Sequence, residues 1–160
     1  MSAVDRVVDA ARALGIEIAV REFPDGTRTA EDAARAVGCD IGQIVKSLVF
    51  VAGSEPVVAL VSGRHKLDPS KLASAAGAPD ARRATPDEAR DATGFAIGGT
   101  PPFGHARPLR LFFDQTLLAH PEVWCAAGTA SAVFAIDPNV LLKATGATAD
   151  DLHEAPRAPV

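Results

Sequence analysis

Lys46 is the lone cation in an otherwise almost wholly apolar run, Ile44-Val-Lys-Ser-Leu-Val-Phe50. A lysine so placed either snorkels from a strand end to solvent or stands half-buried beside a pocket. In the second case low dielectric magnifies its charge and burial lowers its pKa. A second segment, Gly98-Gly-Thr-Pro-Pro-Phe-Gly-His105, joins glycines that permit close backbone approach to prolines that stiffen the chain. Such a loop can aim amides at a carbonyl oxygen or carboxylate, or can simply turn the chain between strands. The third segment, Ala126-Ala-Gly-Thr-Ala-Ser131, is a small-residue loop that reads first as a tight connection. Asp137, before Pro138, reads as a helix cap rather than an acid.

Other chemistries find no support. There is no H-E-x-x-H, and His65, His105, His120 and His153 lack ligand spacing, so no metal site is expected. No G-x-S-x-G is present. Residues 99–104 resemble a phosphate-binding loop only superficially, because His105 stands where lysine should and two prolines remove amides. With 16 Lys and Arg against 20 Asp and Glu, the net charge of −4 argues against a broad basic face for duplex nucleic acid. Local patches remain, at Arg64-His65-Lys66 with Lys71 and at Arg82-Arg83. No apolar run approaches the roughly 18 residues of a spanning helix, and no leader pattern is seen. Cys39 and Cys125, far apart, read as reduced thiols of a cytoplasmic protein.

These residues need a frame, and 160 residues suffice for one domain but not two cores. Tyr is absent and aromatics make up 5%, so Val, Leu, Ile, Ala and seven Phe must build the interior. Val4, Val7, Val8, Ala11 and Leu14 form the apolar stripe of a first helix closed by Gly15. Residues 16–23 read as a strand, ended by the turn Pro24-Asp25-Gly26. Thr29 with Asp32 marks a helix running to Gly38, and Asp40 with Gln43 marks one further turn. Residues 45–51 and 57–62 predict a hairpin buried on both faces. Asp68-Pro69, Thr85-Pro86 and Asp137-Pro138 start three more helices. Short strands are predicted over 95–97, 109–113, 122–126 and 132–136, and the tail from Ala147 is expected to fray. Strands alternating with helices give the class α/β (α+β) with a mixed sheet.

In order and spacing, several segments together resemble the YbaK/ProX family. They are Thr29-Ala-Glu-Asp-Ala-Ala34, Gly38-Cys-Asp-Ile-Gly-Gln-Ile-Val-Lys46-Ser-Leu-Val-Phe50, the 98–104 loop, and Ala127-Gly128-Thr129 before Ile136-Asp-Pro. The family comprises freestanding relatives of the editing domain inserted in bacterial prolyl-tRNA synthetases, and the resemblance covers residues 3–146. It implies a single compact domain over 1–160 with a central mixed, barrel-like sheet flanked by short helices. It also implies hydrolysis, in trans and without a cofactor, of the ester between a wrong amino acid and the 3′ end of a tRNA.

Carried over by position, Lys46 corresponds to the family's essential lysine, residues 98–104 to its substrate-carbonyl loop, and Gly128 to the glycine of its second pocket loop. Lys46, Gly99 and Gly128 are therefore the expected catalytic positions. Gly98, Thr100, Pro101, Phe103, Gly104, His105, Ala127 and Thr129 are the expected substrate contacts. Some relatives carry Ser before the second-loop glycines and an acidic residue soon after, where this chain has Ala126 and Val133. A loop lined by methyl groups is expected to favour a small aminoacyl side chain. Phe23, Phe50 and Phe103 could wall the pocket or fill the core, with Phe50 assigned to core. The implied partner is the acceptor end of a mischarged tRNA, and association with a synthetase is compatible with it. The competing expectation is a binding module of the same fold that recognises an aminoacyl-nucleotide-like ligand without turnover.

Overall fold

The computed structural model describes residues 1–24, 26–27 and 29–155. Asp25, the centre of the expected turn, lies outside them. Five helices form where caps and apolar spacing predict them: α1 (Ala3–Ala13), α2 (Ala30–Val37), α3 (Pro69–Ala76), α4 (Pro86–Thr93) and α5 (Pro138–Thr145). Ser2, Thr29, Asp68, Thr85 and Asp137 each accept a first-turn backbone N–H, satisfying donors that a helix start would otherwise leave bare. Thr85 and Glu88 form a reciprocal capping box, and Asp40 with Gln43 does the same for a 3₁₀ turn over Ile41–Gln43.

The strands are β1 (Arg21–Glu22), β2 (Val45–Ala52), β3 (Glu55–Ser62), β4 (Ala81–Arg83), β5 (Arg110–Asp114), β6 (Val123–Ala126), β7 (Ala132–Ile136) and β8 (Thr148–Asp150). They form two sheets rather than one. The larger has order β4-β2-β3-β5-β8 and the smaller β1-β7-β6. β5 runs parallel to both β3 and β8, which makes the larger sheet mixed. The two sheets meet where Ile44, just before β2, bridges Trp124 of β6.

The core follows from strand alternation. Val45, Val49 and Val51 of β2, with Val58 and Leu60 of β3, face β6, β7, α1 and Phe103. Phe50, Ala52, Val57, Ala59 and Val61 face Leu72 and Ala76 of α3. The hairpin is therefore buried on both faces, which is why its sequence is continuously apolar rather than alternating.

Three sequence expectations are corrected. Of residues 16–23 only Arg21 and Glu22 pair, against Ala132 and Val133, while Ile16, Ile18 and Val20 pack on the core without a partner strand. Residues 95–97 form no strand: Phe95 is buried, and the Ala96 C=O accepts from the Gly99 N–H and the Thr100 hydroxyl in a turn. The tail does not fray before Ala155. β8 pairs with β5, Leu152 is fully buried, and its N–H donates to Asp114 Oδ1 at 2.8 Å. A buried carboxylate needs donors, and this segment supplies them.

Candidate functional site

A cavity of about 280 Å³ opens along the outer edge of β2. β2 pairs with β3 along its whole length, but on its other side it pairs with β4 only over Phe50–Ala52. Beyond that, only Ile44 is in register with β6. Residues 45–48 therefore border a gap between β4 and β6. Arg83 stands at one end and Trp124, Cys125 and Ala126 at the other, while Ala30 and Ala33 of α2 close one wall. Gly98 and Thr100 approach from the first loop, and Thr129 and Ala130 from the second. Ala126 and Val133, the positions where some relatives are polar, both line the cavity with apolar groups.

Lys46 is half-buried at the rim. Alternation puts its side chain on the face shared with Leu48 and Phe50, and its Nζ donates to the His65 C=O. Burial above all, then the charges of Arg83 and Lys66, hold the Lys46 pKa below the ordinary lysine value. No carboxylate lies within ion-pair distance of Lys46 among the described residues. One hydrogen bond to a carbonyl leaves two ammonium donors for a ligand.

The surrounding basic residues are mostly neutralised. Arg64 pairs with Asp40 and Lys71 with Asp151. Arg82 pairs with Glu88, whose carboxyl falls to about 2 because the Arg82 guanidinium, and then the Thr85 N–H, bind the carboxylate. Arg83 and Lys66 are in no ion pair among the described residues, so positive charge persists beside Lys46.

The two loops are joined backbone to backbone. The Gly128 N–H donates to the Gly99 C=O at 3.0 Å, and a Cβ on Gly99 would stand 2.7 Å from Gly128 O. Gly128 has φ of 102°, and a Cβ there would meet Ala3 O of α1 at 2.7 Å. Both are glycines because backbone fills the space a side chain would need.

The expected catalytic glycines, Gly99 and Gly128, sit at this junction. Their N–H groups are already engaged, with Ala96 and Gly99 carbonyls respectively, and neither residue lines the cavity. What they do in the fold is join the two loops backbone to backbone. Among the described residues, the Gly98 and Thr129 amides have no hydrogen-bond partner and remain available.

Of the expected substrate contacts, Gly98, Thr100 and Thr129 border the cavity. Pro101, Phe103, Gly104, His105 and Ala127 do not. Phe103 packs on Phe134 with ring centroids 5.7 Å apart, and Ala127 is fully buried in the core. Gly104 lies against Ala10 of α1. His105 Nε2 is 2.8 Å from Pro101 O, and burial lowers its pKa, so it braces the loop as a neutral ring. Phe50 is core, as assigned, and Phe23 borders no part of the cavity.

Sequence reasoning missed Ser47, Ile97, Trp124 and the α2 wall. It named Arg83 only within the local basic patch Arg82-Arg83. Proximity to Lys46 in sequence could have flagged Ser47; nothing local marks the others. Cys125 also lines the cavity, but burial pushes its thiol well above the usual range, leaving it protonated and unreactive.

Behind the larger sheet, the fold brings together Asp114, Asp151 and His153, a grouping that spacing did not show. Asp114 is fully buried. Its carboxylate accepts from the Leu152 N–H and the Thr116 hydroxyl, and His153 Nδ1 lies 3.1 Å away. Its observed partners make it a clasp for the C-terminal segment, and none of the three residues lines the cavity. Treatment with EDTA followed by assay in metal-free buffer is therefore expected to leave any hydrolytic rate unchanged. A large loss restored by zinc would move the chemistry to this group.

The described residues thus bring together a small, largely apolar cavity, a rim cation without an ion-pair partner and two unbonded loop amides. The chain belongs to the aminoacyl-tRNA editing domain family, whose model matches residues 24–144. It is 32% identical over 123 residues to the uncharacterized protein YwhH of Bacillus subtilis (strain 168), covering 76% of this chain and 78% of that one. It is 37% identical over 100 residues to the proline–tRNA ligase of Nitratidesulfovibrio vulgaris (strain DP4), covering 62% of this chain but only 17% of the ligase. A crystal structure of a protein proposed as a trans-editing enzyme for prolyl tRNA synthetase superposes with a TM-score of 0.91 at 48% identity, covering 97% of this chain and 99% of that one. Among the described residues no helix is long and apolar enough to cross a membrane.

Proposed function

We propose that this chain is a trans-acting deacylase that hydrolyses the ester joining a small, wrong amino acid to the 3′ end of a tRNA. The observation that carries the reading is the placement of Lys46, half-buried and without a carboxylate, at the rim of a cavity walled by alanines and valines. The aminoacyl group enters the cavity. Lys46, with Arg83 and Lys66 nearby, holds the terminal phosphodiester outside it. Lys46 and Arg83 complement that anion without needing a broad basic face.

An aminoacyl ester is already activated, so positioning and charge stabilisation suffice. The Gly98 and Thr129 amides, on loops locked together through Gly99 and Gly128, donate to the carbonyl oxygen as it gains charge. No carboxylate or histidine lines the cavity among the described residues. The substrate's own vicinal ribose hydroxyl therefore acts as a relay: it takes the proton of the attacking water as it gives its own to the 3′ oxygen that departs from the acyl carbon. The same absence favours a second reading, a module that binds the aminoacyl-nucleotide end without turnover. Release of amino acid from a panel of mischarged tRNAs separates the two; binding without release leaves only the module.

Selectivity follows from volume. A single methylene changes binding by only about 1–3 kcal/mol, whereas a clash rejects a larger group outright. Ala127 is core, so in this segment the methyl groups that line the cavity are those of Ala126 and Ala130. Ala130→Leu is expected to suppress hydrolysis of larger aminoacyl groups before that of alanyl esters. Equal wild-type rates on alanyl and bulky aromatic esters would sink size exclusion and leave tRNA identity as the discriminator.

A further inference from the structure

Ser47 occupies the middle of the open β2 edge and borders the cavity. Its Oγ is buried and has no hydrogen-bond partner, a condition shared among the described residues only with Asp151 Oδ1. The other hydroxyls of the lining are occupied. Thr27 donates to the Ala130 C=O, Thr100 donates to the Ala96 C=O, Thr29 accepts the Asp32 N–H, and Thr129 meets Ser131 Oγ at 3.4 Å. The backbone of Ser47 points the same way. Val49 turns its C=O outward to accept the Ala84 N–H at 3.0 Å, and a period of two turns the Ser47 N–H and C=O to that same edge. There the register assigns β2 no partner strand. A void of about 20 Å³, shared with Val49, Ala84 and Thr100, adjoins the side chain and leaves it room to turn.

A buried hydroxyl without a partner destabilises the free protein, so its presence at a cavity marks a group that a ligand completes. We infer that Ser47 is a substrate-positioning residue whose hydroxyl and outward C=O accept hydrogen bonds from the α-amino group of the bound aminoacyl ester. This rests on the deacylase reading of the cavity. An α-ammonium offers only donors and must find acceptors. Lys46 and Arg83 provide none, and the loop amides are themselves donors. The open strand edge is thus the part of the lining whose chemistry matches the amino group, much as an added strand finds its partners on a sheet edge.

The test uses two hydrolysis-resistant ligands, 3′-alanylamino-3′-deoxyadenosine and its propionyl counterpart, which lacks only the α-amino group. Titration calorimetry on the wild type and on Ser47→Ala is expected to show about tenfold weaker binding of the alanyl ligand to the variant, with the propionyl ligand unaffected. The melting temperature of Ser47→Ala should equal or exceed that of the wild type, because the substitution removes an unsatisfied group. Ser47→Thr, which keeps the hydroxyl on a β-branched residue suited to a strand, should recover most of the alanyl affinity. Equal losses for both ligands, or none for either, would overturn the role of Ser47 while leaving the cavity reading intact. Failure of the wild type to bind either ligand would overturn both.

Discussion

Replacing Lys46 with alanine is expected to lower deacylation by about 10²–10³-fold, the effect typical of removing one preorganised charge-stabilising donor. The melting temperature should change little. The ammonium has no carboxylate partner, so the substitution strands no opposite charge, and it relieves a desolvated cation. Lys46→Met, which keeps the apolar stem, isolates the charge from the packing. Lys46→Arg should also be impaired, because a planar fork does not replace a compact ammonium at a shaped rim.

The pH dependence follows in sign. The folded-state pKa of Lys46 lies below that of the unfolded chain, chiefly through burial. Charging it therefore costs stability at neutral pH, and the cost is relieved as pH rises through the folded pKa. Any stability advantage of Lys46→Met should accordingly shrink in alkali. Wild-type turnover should begin to fall on the alkaline side, at lower pH than an ordinary lysine would allow. Near wild-type turnover in Lys46→Ala would mean that the lysine is a surface residue and that the site is wrongly assigned.

Gly99→Ala is the second large effect, and it acts through backbone. The new Cβ would lie 2.7 Å from Gly128 O and 2.8 Å from Thr129 Cα, and neither atom can swing aside as a side-chain tip can. The two loops must part, breaking the 3.0 Å hydrogen bond from the Gly128 N–H to the Gly99 C=O. Overpacking of this kind costs about 1–3 kcal/mol, a fall of several degrees in melting temperature. Activity should fall further than stability. Gly98 and Thr129 flank the contact, and a displacement of about 1 Å between groups that act together can cost on the order of 10²-fold. Gly15→Ala is the control. It carries the strain of φ +79° but meets nothing within 4 Å, so it should lose some stability and no activity. If Gly99→Ala keeps full turnover, the loop junction does not set the geometry of catalysis.

Much of the frame was legible in the residues. The capping boxes at Thr85 and Asp40, the Asp-Pro helix starts and the doubly buried hairpin all formed as read, and Lys46 stood out as a cation where none belonged. The candidate site was legible only in part. The two glycine loops are legible in the sequence, but not that Gly99 and Gly128 have their amides engaged while Gly98 and Thr129 border the cavity. Phe103 and Ala127 looked like walls because they neighbour the right loops, yet both turn into the core. Arg83 and Trp124, which bound the cavity at opposite ends, carried no local sign of it.

By itself the sequence determined what interactions within about four residues decide: where helices start, where the chain turns, and which strands lie buried on both faces. Tertiary structure decided which edge of β2 stayed open, which loop amides were left unbonded, and that Leu152 would anchor the tail to a buried Asp114. The reason is distance along the chain. Lys46, Arg83, Gly98 and Thr129 are brought to one cavity by the summed packing of two sheets around a shared core, and no local propensity encodes that sum.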